Sequence, residues 1–312
     1  MSRRTRRRAH ERPGPAGFLV VDKPRGWTSH DVVEAARRWL GTPRVGHLGT
    51  LDPLATGVLP LAVREATKLA PFLQGGAKRY AGTIRLGEET DTLDAEGTTL
   101  RRHPGALPTE AELFAALARF RGEILQEPPM FSAVKHHGVP LHRLARQGRV
   151  VERAAKSVRI DRLELCRYEP PDFDVEVECS AGTYVRVLAQ DLGRVLGCGA
   201  HLRGLRRTAS GPFTIEQAHA EAELAAAAER GELEPLVVPA VNVLGLPALR
   251  LSAEETQRIR HGGDLRAPEP PLVPGSQLAA LDPAGELVAI LEVRPGRALR
   301  PLRVLAPVAP RP

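Results

Sequence analysis

Polar and apolar positions along this chain alternate with two periods, and the switches between them mark out its elements. Phe173, Val175, Val177 and Cys179 alternate with Asp174, Glu176 and Glu178, which predicts a strand with one wet face. "KRYAGTIRLG" behaves alike, with Tyr80, Gly82, Ile84 and Leu86 on one side. After an apolar run at 18–21 and a turn at Asp22-Lys23-Pro24, the period becomes helical. Thr28 or Ser29 can cap that helix, Val32, Val33, Ala36, Trp39 and Leu40 form its stripe, and Gly41 ends it. "PTEAELFAALARFRGEI" predicts a second helix, with Thr109 and Glu112 as a capping box. A third starts at Gly182-Thr183 and buries Tyr184, Val187, Leu188, Leu192 and Val195, so Arg186 falls in its first turn, near the end of the preceding strand. "FTIEQAHAEAELAAAAERGELE" predicts a fourth, capped by Thr214 with Gln217 and stopped by Gly231. Strands and helices mix without strict β-α-β alternation, which implies an α+β fold.

From about residue 245 the pattern changes. "RLSAEETQRIRHGGDL" predicts a short helix, "APEPPLVPG" a rigid loop, and "AALDPAGELVAILEVR" a hairpin turning at Asp282 to Gly285. This is a small β-rich appendage to one large domain.

Composition narrows the class. The 312 residues are 42% hydrophobic and 26% charged, the balance of a soluble globular protein. No apolar run is long and unbroken enough to span a bilayer, and the Arg-rich start lacks the apolar stretch of a signal peptide. Cys166, Cys179 and Cys198 show no CxxC spacing, which predicts neither a zinc site nor a disulfide framework. The expectation is a cytoplasmic protein without a membrane partner or a structural metal. Residues 1–17 hold six Arg and one Glu, so most of the formal charge of +7 sits in a tail expected to be disordered over 1–16. The more informative basic segment is internal. Residues 127–149 carry Lys135, Arg143, Arg146, Arg149 and three His against Glu127 alone, and Pro and Gly bracket them as they would an insertion. That reads as a clamp on phosphates rather than a solvated helix.

One loop concentrates the candidate chemistry. "RVGHLGTLDPLATGVLPLAV", residues 44–63, holds a single His and a single Asp in apolar, Gly- and Pro-punctuated surroundings. An acid placed there suits a carboxylate nucleophile, which must be ionised, positioned and shielded from water. Burial alone would protonate it, so a cation is required nearby. Taken alone, Asp52 could equally cap a turn before Pro53, and His47 could be a surface loop residue.

"GHLGTLDPLATGVLP" resembles the motif of pseudouridine synthases in which the Asp is followed by Pro and a short apolar run. "VVDKPRGWTSHDVV", "KRYAGTIRLGEETDTLDAEG", "PPMFSAVK", "GTYVRVLAQDLG" and "GCGAHLRGLRR" then follow in the order and spacing of the TruB family, the bacterial tRNA pseudouridine-55 synthases. The resemblance spans roughly residues 17–210, and the C-terminal piece is similar to that family's PUA-like RNA-binding appendage. It implies a mixed-sheet catalytic domain with flanking helices over 17–240, carrying an RNA-clamp insertion at about 127–152, and a PUA-like domain over 245–307. It implies isomerisation of a uridine at position 55 in the T-loop of tRNA, with no metal, nucleotide or redox cofactor and no obligate protein partner. By the same likeness Asp52 is the nucleophile and Arg186 its cation, while Tyr80 stacks on the uracil and is a candidate base. His47, Tyr184 and Leu205 then surround the flipped nucleotide, and Lys23 buttresses the loop. The chain departs from the family in having Phe131 where Tyr often follows "PPM", and in its Arg-rich tail. Two other readings stay open at this point: a guide-RNA-dependent synthase subunit, and a tRNA-binding or tRNA-folding module in which catalysis is secondary.

Overall fold

A computed structural model describes residues 14–267 and 272–306. Most of the basic tail, part of the 267–275 loop and residue 307 therefore lie outside the described residues. The chain opens with β1 (Gly17–Lys23), α1 (Ser29–Leu40), β2 (Val45–His47) and β3 (Thr56–Val63). β4 (Lys78–Leu86), α2 (Glu110–Ala118), β5 (Gly122–Gln126), β6 (Lys156–Glu169) and β7 (Asp172–Cys179) follow. α3 (Val185–Val195), β8 (Ala200–Ser210) and α4 (Glu221–Arg230) complete this part. The central path of an eleven-stranded sheet runs β1-β3-β8-β4-β7-β6-β5. It is antiparallel except where β8 meets β3, at Arg206↔Thr56 and Arg207↔Gly57. This mixed sheet with flanking helices is the α+β architecture expected from the sequence.

Local chemistry accounts for the elements. Thr28 caps α1 in a reciprocal box with Asp31, and Gly41 ends it in the left-handed conformation at φ +59°. On β4 and β7 the alternating residues are buried as the period-two reading requires, Ile84 and Phe173 at 0% exposure. The main apolar cluster joins the inward residues of β1, β3, β4 and β7 to Val32, Val33 and Ala36 of α1 and Leu188 and Leu192 of α3.

Three expectations are corrected. The helix capped by Thr109 stops at Ala118, because Gly122 turns the chain at φ +86° into β5, whose residues pair with β6. Val195, the last residue of α3, is 41% exposed rather than buried. The stretch from Thr214 to Arg230 is not one helix: the Thr214–Gln217 box caps only a single turn at 215–217. His219–Ala220 then pair with β1, and α4 begins at Glu221.

The basic segment folds as a two-rung hairpin, Lys135–His136 with Val139–Pro140, and a short helix Leu141–Ala145. Residues 248–304 form a second sheet. Its five strands are β9 (Ala248–Arg250), β10 (Leu265–Arg266), β11 (Gln277–Leu281), β12 (Leu287–Arg294) and β13 (Ala298–Val304), with α5 (Ala253–Arg260) packed on them. A second apolar cluster seals this sheet to the first, combining Phe18 and Val20 of β1 and Val58 of β3 with Ile290 and Leu305. Polar contacts reinforce the seam: Lys68 Nζ donates to Val304 O at 3.2 Å and Ala306 N donates to a Glu65 oxygen at 3.0 Å. No helix of the described residues is long and apolar enough to cross a membrane.

Gly57, where β3 leaves the Asp52 loop, is the glycine the fold most requires. It sits at φ +97°, and a Cβ there would lie 2.2 Å from Arg207 O. Strain and overlap together predict that Gly57→Ala lowers the unfolding free energy by about 3 kcal/mol. A denaturant melt followed by circular dichroism checks this.

Candidate active site

The loop between β2 and β3 is pinned from three directions. The Ser29 hydroxyl, at the start of α1, donates to Leu51 O at 3.0 Å and accepts from Leu51 N at 2.8 Å. Lys23, fully buried at the end of β1, donates to the carbonyls of Trp27 (2.6 Å), Pro24 (2.9 Å) and Pro53 (3.3 Å). Burial pulls its ammonium down to about 8, with the Asp52 charge the largest opposing influence. Arg207 of β8 donates to Val58 O at 2.7 Å, Gly49 O at 3.1 Å and Thr50 O at 3.3 Å. Lys23 therefore buttresses the loop, as expected.

This scaffold holds Asp52 against Arg186. The Arg186 Nε lies 2.9 Å from Asp52 Oδ2, although its N–H is not aimed along that line. The guanidinium is fixed elsewhere: Nη1 donates to Thr92 O and Nη2 to Phe131 O, each at 3.0 Å, and Asp94 Oδ2 stands 3.7 Å from Nη1. Arg186 is 4% exposed, whereas Asp52 keeps 37% of its side chain open. A substrate can therefore reach the carboxylate while the cation stays sealed behind it. Packed protein on the remaining sides pushes the Asp52 carboxyl above its ordinary value, and Arg186 is the largest influence pulling it back.

The other candidate residues fall into two groups. Tyr80 on β4 is 8% exposed, and its phenol is raised by burial and opposed by Arg207. Tyr184 is the N-cap residue of α3. Its backbone is gripped by Gln126, which accepts from Tyr184 N at 2.9 Å and donates to Tyr184 O at 3.3 Å. Burial raises its phenol too, with Ser132, Arg186 and Asp52 among the groups acting on it. Arg186 thus touches Asp52, and the Asp52 charge reaches both Tyr80 and Tyr184. Leu205 and His47 lie to either side. Leu205 lines an adjoining groove of about 470 Å³ with Leu54, Gly82 and Arg25. His47 ends β2, and burial and the Arg207 charge lower the pKa of its imidazole; among the described residues its buried Nδ1 has no hydrogen-bond partner.

The sequence is matched over residues 37–185 by the TruB family pseudouridylate synthase N-terminal domain. The tRNA pseudouridylate synthase B C-terminal domain matches residues 186–244, and the tRNA pseudouridine synthase II C-terminal domain matches 246–306. It is 44% identical over 300 residues to tRNA pseudouridine synthase B of Pseudomonas aeruginosa, covering 93% of this chain and 96% of that one. It is also 44% identical to the protein of that name from Arthrobacter, over 94% of this chain and 97% of the other. The chain belongs to the TruB family. Among solved structures, this TruB-family chain resembles one in a Cbf5-Nop10-Gar1 complex, with TM-score 0.70 and 28% identity over 94% of this chain and 85% of that one. An archaeal box H/ACA Nop10-Cbf5 complex gives TM-score 0.70 and 26% identity over 95% of this chain and 88% of the other.

Reading the sequence missed the part that four residues play in this TruB-family site. Asp94, in "DTLDAEG", flanks the Arg186 guanidinium; its only local signal was an acid in a Gly-terminated turn. Thr92 and Phe131 act through backbone carbonyls, which leave no signature in side-chain identity. Arg207 was visible only as one of two adjacent arginines, with nothing to mark it as the buried one.

Proposed function

We propose that this protein is a stand-alone tRNA pseudouridine synthase that converts the uridine at position 55 of the T-loop, with Asp52 as its nucleophile. The net change breaks the N1–C1′ bond, joins C5 to C1′, moves the C5 hydrogen to solvent and protonates N1. The observation that carries the proposal is the Asp52–Arg186 contact in a chain aligned end to end with enzymes of that name. Arg186 keeps the carboxylate charged within packed surroundings. The Tyr80 ring forms the wall on which the extruded uracil lies, and its hydroxyl is the group placed to take the C5 proton. Tyr184 and Leu205 line the space beside the nucleotide, and His47 borders it from the end of β2.

Residues 17–240 act as the catalytic unit and 245–307 as a PUA-like RNA-binding unit, working in the cytoplasm on tRNA. The 127–152 insertion grips the T-stem. In support, Lys135, Arg143, Arg146 and Arg149 stand within ion-pair distance of no carboxylate among the described residues, whereas Arg153 pairs with Glu127. Substituting Ala for Arg143, Arg146 and Arg149 together is expected to flatten the salt dependence of tRNA binding by about two to three units of slope. The single-turnover rate at saturating tRNA should hold. Filter binding across a salt series reads the first quantity, and an unchanged slope would remove the clamp.

The likeness to Cbf5-containing complexes favours a second reading, in which a guide RNA and partner proteins deliver the substrate. Tritium release from a C5-labelled tRNA transcript, with protein and no other RNA, separates the two. Release supports the stand-alone enzyme, and its absence with tRNA still bound supports the guided one.

A further inference from the structure

Arg207 is the largest side chain in the fully buried interior, at 1% exposure, and among the described residues no carboxylate pairs with it. Burial lowers its affinity for its proton, so its charge is held at a cost. Three backbone carbonyls use its hydrogen bonds, but carbonyls accept equally from a neutral amide, so they do not by themselves require a cation. What the cation faces is more informative. Arg207 is the largest influence opposing the burial-raised pKa of the Tyr80 hydroxyl; Cys179 on β7 and Asp52 across the site act the other way. Lys78, Lys23 and His47 also feel its charge. The carbonyls it holds lie on both arms of the Asp52 loop: Gly49 and Thr50 before the acid, Val58 after it. One guanidinium therefore touches the scaffold of one reacting side chain and the electrostatics of the other.

We infer that Arg207 is a positioning residue that locks the Asp52 loop to β8 and, as the direct cross-strand partner of Tyr80 on β4, sets its charge beside the Tyr80 side chain. The inference rests on the roles proposed above for Asp52 and Tyr80. A phenol accepts a proton from carbon only after losing its own, and burial opposes that loss. The Arg207 charge offsets the opposition without occupying the substrate space, because the residue lies beneath the loop. After the transfer the restored phenol passes the proton to solvent, which completes the exchange of the C5 hydrogen.

The test compares Arg207→Lys and Arg207→Met with wild type by single-turnover tritium release between pH 6 and 10, alongside tRNA affinity and thermal melting. Lys keeps the charge and loses the fork that spans three carbonyls. Its rate constant is expected to fall about 100-fold at unchanged tRNA affinity, as a slightly displaced nucleophile would give, with the pH profile left in place. Met also loses the charge, so its rising limb should move to higher pH. Should Met fail to fold, Lys still decides the loop function: a full wild-type rate in Arg207→Lys would overturn it. A Met variant that folds, but whose limb stays at the wild-type pH, would overturn the link to Tyr80. Tyr80→Phe serves as control: if it retains the wild-type rate and limb, the role given to Tyr80 fails, independently of Arg207.

Discussion

Replacing Asp52 by Asn is expected to reduce tritium release by about 10⁴-fold or more, the scale of removing a nucleophile. Binding of tRNA should be unchanged, and the protein should melt no earlier than wild type. The stability half of this expectation follows from the sign of the pKa displacement. Burial raises the folded-state value of the Asp52 carboxyl above its ordinary 3.8. Above that window the unfolded chain ionises at no cost while the folded one bears a penalty, so the acid destabilises the fold at neutral pH. Asn removes the penalty. It also leaves Arg186 compensated, because Asp94 stands 3.7 Å from its Nη1 and two backbone carbonyls hold its other donors. Single-turnover assays and a melting curve on the same preparation test both halves. Residual activity near wild type would remove Asp52 from the chemistry, whereas a large loss of stability would mean the carboxylate holds the loop together.

Arg186→Met should act in the opposite direction on pH. It removes the largest influence that keeps Asp52 ionised and leaves Asp52 and Asp94 facing each other without the intervening charge. The acidic limb of the rate profile should then move up by about 1–3 units, the usual effect of one nearby arginine on a carboxylate. At neutral pH the rate should fall about 10²- to 10³-fold, partly recovered on raising the pH. Arg186→Lys keeps a charge but puts a single nitrogen in place of the two that reach Thr92 O and Phe131 O, so it should retain the limb and lose rate. A profile that only scales down, without shifting, would assign Arg186 to RNA contact instead.

How much of this was legible beforehand depended on the physics of each element. β4, β7 and α1 were readable because each buries one face and leaves the other wetter, which writes the period directly into the residue types. β8 was not read as a strand: bulges between Leu202 and Gly204 and between Arg207 and Ala209 break its alternation, and one of its inward residues is an arginine. β6 carries two similar shifts, near Arg162 and Arg167. At the site, the isolation of Asp52 among apolar residues signalled an unusual acid, and the need for a cation followed from electrostatics. The identity of that cation came only from resemblance, since Arg186 meets Asp52 through the docking of α3 on the sheet. The Thr214 box misled for a different reason: a capping signal marks where a helical turn begins and says nothing about how far it runs.

The seam between the two sheets bears on how the protein is made. Phe18 and Val20 lie in the first strand of the sheet, yet the outward face they present is covered in part by Ile290 and Leu305, which come far later in the chain. β1 can pair with β3 as soon as residue 63 has left the ribosome, and Leu69, Leu73 and Phe213 then join its second face in turn, but Ile290 and Leu305 follow only after a wait of tens of seconds at about 5–20 residues per second. An apolar face completed so late is a surface for chaperones while synthesis continues. Truncations near residue 300, which remove Leu305 from this cluster, should therefore be less soluble than their small loss of sequence suggests.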